Sequence, residues 1–376
     1  MGWSIKLGRI FGIHIKVHLT FFLILVWGAF SYGGSAGPLY GLIVTLALFT
    51  LVLLHELGHS LAAKGYGIPV NDITLLPIGG VARLARMPEK PIQELVVALA
   101  GPAVNVILAA IALPLVLGLG VAQGGTLSLR LWPQPGWLGL LTFLLSANLS
   151  LAAFNLIPAF PMDGGRVFRA LLGLFLDFQR ATRIAVTLGR VLAVGLGVFG
   201  LLNGQFFMAI IALFIFNASG QEGQAVAARG LLRQVAVGQS WSRNTAALPP
   251  YATVGQVASM AMSGYGSDFA VLDPQSRQLL GVVQRADVAR ALRLGQWQRS
   301  MAELMRPVQN VPSVTLHTNL AEVQDKLADA SSRIAAVYDG PFFQGLISLE
   351  DVQRAFQFLA RGGGYTGQRL GWETSG

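Results

Sequence analysis

Two histidines four residues apart with a glutamate between them, His55-Glu56-Leu57-Gly58-His59, are the side chains here best suited to chemistry. On a helix this spacing puts both imidazoles on one face, where they can share a metal ion. Glu56 is placed to take a proton from a water that the metal acidifies. The motif continues the apolar run Leu51-Val52-Leu53-Leu54. An ionisable residue at the middle of a membrane-spanning helix costs about 2.5–3.5 kcal/mol on insertion scales. Three within five positions are therefore hard to explain as packing. The competing reading is polar side chains paired inside a helix bundle, without a metal.

Two histidines do not complete a catalytic zinc site, which takes three protein ligands and keeps one position open. The chain has no cysteine and only five histidines, so the third ligand is expected to be acidic or His. Asp163 fits, in Asn155-Leu156-Ile157-Pro158-Ala159-Phe160-Pro161-Met162-Asp163-Gly164-Gly165-Arg166. The prolines break a helix there, and irregular backbone at membrane depth survives only where it is buried in protein or lines a polar cavity. Its alternative role is an N-cap. Asn105, in Gly101-Pro102-Ala103-Val104-Asn105, and Asn155 are candidate catalytic amides that would donate to an oxyanion. The alternative for each is an interhelical hydrogen bond. His14 and His18 lack an intervening acid and read as interfacial side chains.

The elements that must position these residues are membrane elements. Hydrophobic residues make up 53% of the chain and charged ones 12%, against about 25% charged in soluble domains. The mean hydropathy is +0.57. The C-terminal third is more polar. The net charge of +9 does not point to nucleic acid, because the basic residues sit in loops between apolar runs, as orientation signals do. The absence of cysteine also excludes disulfides and thiolate ligands.

About six spans are expected: Val17–Tyr32, Leu39–Lys64, Ile92–Val121, Trp137–Ile157, Ile184–Leu202 and Phe206–Phe216. The first, preceded by Lys6, Arg9 and Lys16, reads as an uncleaved span. Between the second and third, Asn71–Ala82 reads as a hairpin or re-entrant loop bent at Pro77, Gly79 and Gly80. The edge of the hairpin Ile73–Leu84 is expected to take an unwound substrate by strand addition. Gly164–Phe178 reads as a short amphipathic piece. Lys64, Arg83, Arg86 and Lys90, then Arg166, Arg169, Arg180 and Arg183, mark the cytoplasmic loops, and the opposite loops hold only Arg130. The expected location is the inner membrane, multi-pass, with the N-terminus and the C-terminal third in the cytoplasm.

That third contains a repeat. Leu280-Gly281-Val282-Val283-Gln284-Arg285-Ala286-Asp287-Val288 matches Gln344-Gly345-Leu346-Ile347-Ser348-Leu349-Glu350-Asp351-Val352. Each copy reads helix, strand, turn, strand, helix, and such a pair shares one core. The domain boundaries are then a transmembrane domain over 1–217, a linker over 218–247, paired units over 248–297 and 308–360, and a loose tail over 361–376.

His55-Glu56-Leu57-Gly58-His59, Pro77-Ile78-Gly79-Gly80, Gly101-Pro102-Ala103-Val104-Asn105 and Asn155…Pro158…Asp163-Gly164, in that order, resemble the site-2 protease family of intramembrane zinc metalloproteases. The repeat resembles a tandem pair of cystathionine-β-synthase-type (CBS) domains. The fold class implied is a polytopic α-helical membrane protein with a small β-hairpin, joined to a cytoplasmic α/β tandem CBS module. By resemblance His55, His59 and Asp163 hold one zinc ion, Glu56 is the catalytic acid or base, and Pro77, Gly79 and Gly80 lie in the substrate-binding loop. The substrate implied is a membrane-anchored protein, such as an anti-sigma factor or another single-span protein. CBS pairs often bind ATP, ADP or AMP, with Ser or Thr three residues before Asp. Ser348 and Asp351 keep that pattern, whereas the first copy has Gln284 before Asp287. Paired CBS units also suit a homodimer. The rival reading is a metal or ion transporter with regulatory CBS domains, which has no need of Glu56 beside two ligands.

Overall fold

The expected second span forms one long helix that organises the membrane part of the protein. In the computed structural model, which describes residues 3–86, 88, 90–122, 132–240, 245–262 and 268–360, this helix is Pro38–Gly65. Proline at its first position leaves unmade only a hydrogen bond that the first turn lacks anyway. The elements before it are strands β1 (Ser4–Ile10) and β2 (Ile13–His18) and helix α1 (Phe21–Gly33), which makes the long helix α2. Next come β3 (Val70–Leu76), β4 (Gly79–Leu84), α3 (Pro91–Ala122), α4 (Trp137–Asn155), α5 (Asp163–Leu172), α6 (Phe178–Leu202) and α7 (Phe206–Leu232). The chain divides into two units, Met1–Val226 and Ala227–Gly376.

Among the described residues five helices are long and apolar enough to cross a membrane, not six. The expected first span is the exception. Its beginning is β2, and α1 has 13 residues, about 20 Å at 1.5 Å per residue against a hydrocarbon core of about 30 Å. Alternation in Ile13-His14-Ile15-Lys16-Val17-His18 explains the strand: the three aliphatic residues are buried, and the polar ones point outward. Ile13 and Ile15 pack with Leu57 of α2 and Ile73 of β3.

The expected hairpin is β3–β4, and it belongs to a larger sheet of order β1-β2-β3-β4. β2 runs parallel to β3, with Ile15 opposite Ile73. β1–β2 and β3–β4 are antiparallel. Asp72 links three strands, at 2.6 Å from Lys16 Nζ and 3.3 Å from Arg83 Nε. Burial pushes the Asp72 carboxyl up, but the Lys16 hydrogen bond and the Arg83 charge outweigh it and hold the group below its usual range. Gly79, at φ +136°, makes the bend into β4. β4 is an outer strand and lies over α2.

The last span also differs from expectation. The helix does not stop at Phe216 but continues to Leu232. The Gln-, Glu- and Ala-rich sequence Gln221–Ala228 favours helix and holds no proline, so nothing ends α7 there. Arg130 and the tail from Arg361 lie outside the described residues.

In the second unit, α8 (Val237–Ser240) is followed by β5 (Ala246–Leu248), α9 (Val254–Met262), β6 (Asp268–Leu272), β7 (Leu279–Gln284), α10 (Arg285–Arg293), α11 (Met301–Leu304) and β8 (Arg306–Pro307). The second copy is β9 (Ser313–Thr315), α12 (Leu320–Asp329), β10 (Ile334–Asp339), β11 (Phe342–Ser348) and α13 (Leu349–Ala360). One sheet has the order β5-β6-β7-β8 and the other β11-β10-β9. The repeat is thus two like α/β units. Ala270, Leu279 and Val282 of the first pack with Ile334, Ala336 and Leu346 of the second in a shared core. Leu232, Val235 and Val237, from the stretch read as linker, are buried in the core of the second copy. Arg229 of α7 pairs with Asp325 of α12.

Asp268 opens β6. Burial pushes its carboxyl up to about 6; the Arg285 N–H and Arg333 oppose this, while Glu350 and Asp351 add to it. Between pH 4 and 6 the folded unit therefore binds more protons than the unfolded chain, and stability falls as pH rises through that window. Hydrogen exchange of β6 and β7 in the full chain, corrected for intrinsic rates, should lose protection from pH 4.5 to 7. Asp268→Asn should flatten that dependence. Unchanged dependence in the variant would assign the effect to another group.

Candidate active site

α2 brings His55 and His59 together as the i, i+4 spacing requires, and both are buried. Their rings lie 4.7 Å apart at 81°. Asp163, the first residue of α5, comes from beyond the helix break and completes the group. Its Oδ2 is 3.2 Å from His55 Nε2 and 3.1 Å from His59 Nε2, and the two Nε2 atoms are 3.0 Å apart. Among the described residues this is the group of His and acidic side chains able to hold a metal ion.

The opposite edges of the imidazoles explain which atoms face inward. His59 Nδ1 lies 2.7 Å from the carbonyl of Val97. A carbonyl only accepts, so Nδ1 carries the proton and Nε2 of the neutral ring presents a lone pair. His55 Nδ1 is likewise 2.5 Å from Asn105 Oδ1. With both rings neutral in these tautomers, two lone-pair nitrogens and a carboxylate oxygen converge, a donor set that suits a cation. Ligand atoms about 2.0–2.2 Å from a tetrahedral zinc ion sit about 3.3 Å from one another, so the observed 3.0–3.2 Å spacing fits zinc.

The approach of α3 to α2 makes this possible. A Cβ on Gly101 would lie 2.2 Å from His59 Nε2, and one on Gly58 would lie 2.7 Å from the Ala100 carbonyl oxygen. Both positions need glycine for the helices to touch there.

Glu56 follows His55 on α2 and reaches the sheet. Its Oε2 accepts from the Ala82 N–H of β4 at 3.2 Å. A Cβ on Gly80 would come within 2.6 Å of Glu56 Cγ. The open edge of β4 therefore runs beside the carboxylate. Pro77 and Gly79 form the bend just before it.

The amides are placed differently from expectation. Asn105 is fully buried, but its carbonyl faces His55 and its NH2 donates to Asn148 Oδ1 at 2.9 Å. Its amide thus bridges His55 and Asn148, the interhelical hydrogen bond that was its alternative reading. Asn155 donates at 3.0 Å to Leu151 of its own helix. Asn148 was missed, although an amide in an apolar helix is the signal that selected the other two.

The nucleotide-binding candidates are placed as follows. Ser348 Oγ donates to Asp351 Oδ2 at 2.7 Å, and the Asp351 N–H donates back to Ser348 Oγ at 3.2 Å. This is a reciprocal cap on α13. Asp287 is half-buried on α10, 3.8 Å from Arg290.

The sequence matches the peptidase family M50 model over residues 43–128 and 120–196. It is 30% identical to a zinc metalloprotease of Methanocaldococcus jannaschii over 361 residues, 96% of this chain and 98% of the relative. A solved site-2 protease from that organism is 38% identical over 59% of this chain and 95% of its own, with a TM-score of 0.43. The solved CBS domain of a bacterial Mg2+ transporter of the CNNM/CorC family, in complex with ATP, is 19% identical over 36% of this chain and 97% of its own, with a TM-score of 0.32. The full-length likeness to a zinc metalloprotease, with the family match falling on the helix that carries His55, Glu56 and His59, makes this chain a member of peptidase family M50, the metalloproteases of the site-2 type.

Proposed function

We propose that this metalloprotease hydrolyses peptide bonds within or beside transmembrane segments of membrane-anchored proteins, single-span proteins such as anti-sigma factors among them. The observation that carries the reading is the convergence of three proton-accepting atoms from α2 and α5 inside a bundle of apolar helices. His55, His59 and Asp163 hold the metal. Zinc in that position supplies Lewis acidity and an acidified water at neutral pH. The Asn105 and Val97 contacts keep both Nε2 lone pairs aimed inward. Glu56, steadied by the Ala82 N–H, takes the proton as the peptide carbon is attacked and hands it to the leaving amine.

A helical substrate hides its carbonyls in i→i−4 bonds and must unwind before attack. The open edge of β4 beside Glu56 suits an extended segment added as a fifth strand. Gly79 and Gly80 keep side chains out of its path. In liposomes, single-span substrates with Asn, Gly or Pro near the cut should be cleaved about three- to a hundredfold faster than an unbroken Leu span, in that rising order, since these residues remove up to about 0.7, about 1 and about 3 kcal/mol of helix stability. Equal rates would refute the unwinding step, and cleavage that survives a chelator would refute the metal.

The CBS pair is assigned to adenine-nucleotide sensing, with Ser348 and Asp351 in the more complete half-site and Asp287 in the other. Pairing of CBS units between two chains and a cytoplasmic position for them belong to the same reading. A nucleotide acts here only through different affinities for two states of the protein. Proteolysis rates should change across millimolar ATP, ADP and AMP; flat rates count against gating.

A further inference from the structure

Behind the ligand cluster lies a second charged group that the reaction does not use. Arg169 of α5 is 1% exposed. Its Nε donates to Glu94 Oε1 of α3 at 2.8 Å, and its Nη1 to Glu222 Oε1 of α7 at 2.7 Å. The guanidinium also lies 4.9 Å from the Phe160 ring and 4.8 Å from the Phe178 ring. Phe160 is three residues before Asp163, and Phe178 begins α6. The carbonyl of Phe160 accepts in turn from Ser219 Oγ of α7 at 2.9 Å, where Ser219 is wholly buried. Ser219 and Glu222 are three apart and share a face of α7.

These contacts all converge on the short segment that carries Asp163. α5 has only 10 residues. Asp163 and Arg169 are six apart, about 120° around the helix, so one face offers the carboxylate while another is tied to α3 and α7. A turn of α5 by 10° would carry a carboxylate 5–6 Å off the axis through about 1 Å. Sites of this kind tolerate about 0.5 Å. Stability alone does not call for such a group, because well-packed apolar side chains serve as well as a buried ion cluster. A fixed orientation of α5 does call for it.

We propose that Arg169, held by Glu94 and Glu222, and Ser219, through the Phe160 carbonyl, are positioning residues that set the orientation of Asp163 toward the metal. The inference rests on Asp163 being a metal ligand. The test uses full-length Glu222→Gln and Ser219→Ala proteins in nanodiscs, with Asp163→Asn as the benchmark. Zinc affinity is measured by competition with a chromophoric chelator, and the ligand field by the visible absorption of the cobalt(II)-loaded forms. Each positioning variant should bind zinc about 10–100-fold more weakly, alter the cobalt bands, and lower kcat with KM within twofold. A purely structural role would lower the melting temperature but leave the cobalt bands of the folded protein unchanged. Parental affinity and spectrum in both variants, with both altered in Asp163→Asn, would overturn the proposal. An unaltered Asp163→Asn would overturn the ligand assignment itself. Should Glu222→Gln fail to fold, Ser219→Ala, which removes only a hydroxyl, decides alone.

Discussion

Glu56→Gln should retain one zinc per chain and lose about 10²–10⁴-fold in kcat, the range for a positioned general acid–base. Glu56 is not among the three converging ligand atoms, so metal content should not depend on its charge. Glutamine has the same length and keeps an oxygen to accept from the Ala82 N–H, so the contact between α2 and β4 should survive. What glutamine cannot do is take a proton and return it. The variant should therefore bind substrate with little change in KM and accumulate it uncut. Metal analysis and turnover of a single-span substrate in liposomes check both halves. Turnover within threefold of the parent would remove Glu56 from the chemistry, and loss of zinc would place it among the ligands. Trapping in cells with this variant would identify the natural substrates.

The second large effect is expected at a residue with no functional group. Gly101→Ala should weaken zinc binding by more than about 100-fold, beyond the range for outer-shell changes, and abolish cleavage. Helix propensity predicts the opposite sign, since alanine is better than glycine in a helix interior by about 1 kcal/mol. Sterics at the site decide. The new Cβ would lie 2.2 Å from His59 Nε2, 2.6 Å from His59 Cε1 and 2.8 Å from His55 Cε1. The nearest atom is a nitrogen of the proposed metal site, which must move by about 1 Å, twice the tolerance of such a site. Gly118→Ala on the same helix is the control, because nothing lies within 4 Å of a Cβ there. Chelator competition on the two variants should separate them clearly. Equal affinities would mean that α2 and α3 part easily at the site.

Much of the site was legible because its parts are local. An i, i+4 pair of histidines with an adjacent acid keeps its geometry on any helix. Pro158 and Pro161 announce a break wherever the helix packs, and the only acid just beyond it is Asp163. The repeat announces two like units for the same reason. The number of spans was less legible. Lys6, Arg9 and Lys16 before an apolar run resemble the flank of a span, yet Ile13-His14-Ile15-Lys16-Val17 alternates with the period of a strand. Its parallel partner is β3, whose Ile73 sits opposite Ile15.

By itself the sequence determined the class of the fold and picked out the candidate ligands, because composition, periodicity and motif spacing belong to the chain. Only the tertiary structure decided the partners. Asn105 reaches His55 across 50 residues, Val97 reaches His59 across 38, and Arg169 reaches Glu94 across 75. A buried polar group must find some partner, but which one depends on which helices touch. That contact is set by glycines such as Gly101, whose meaning is the space they leave empty.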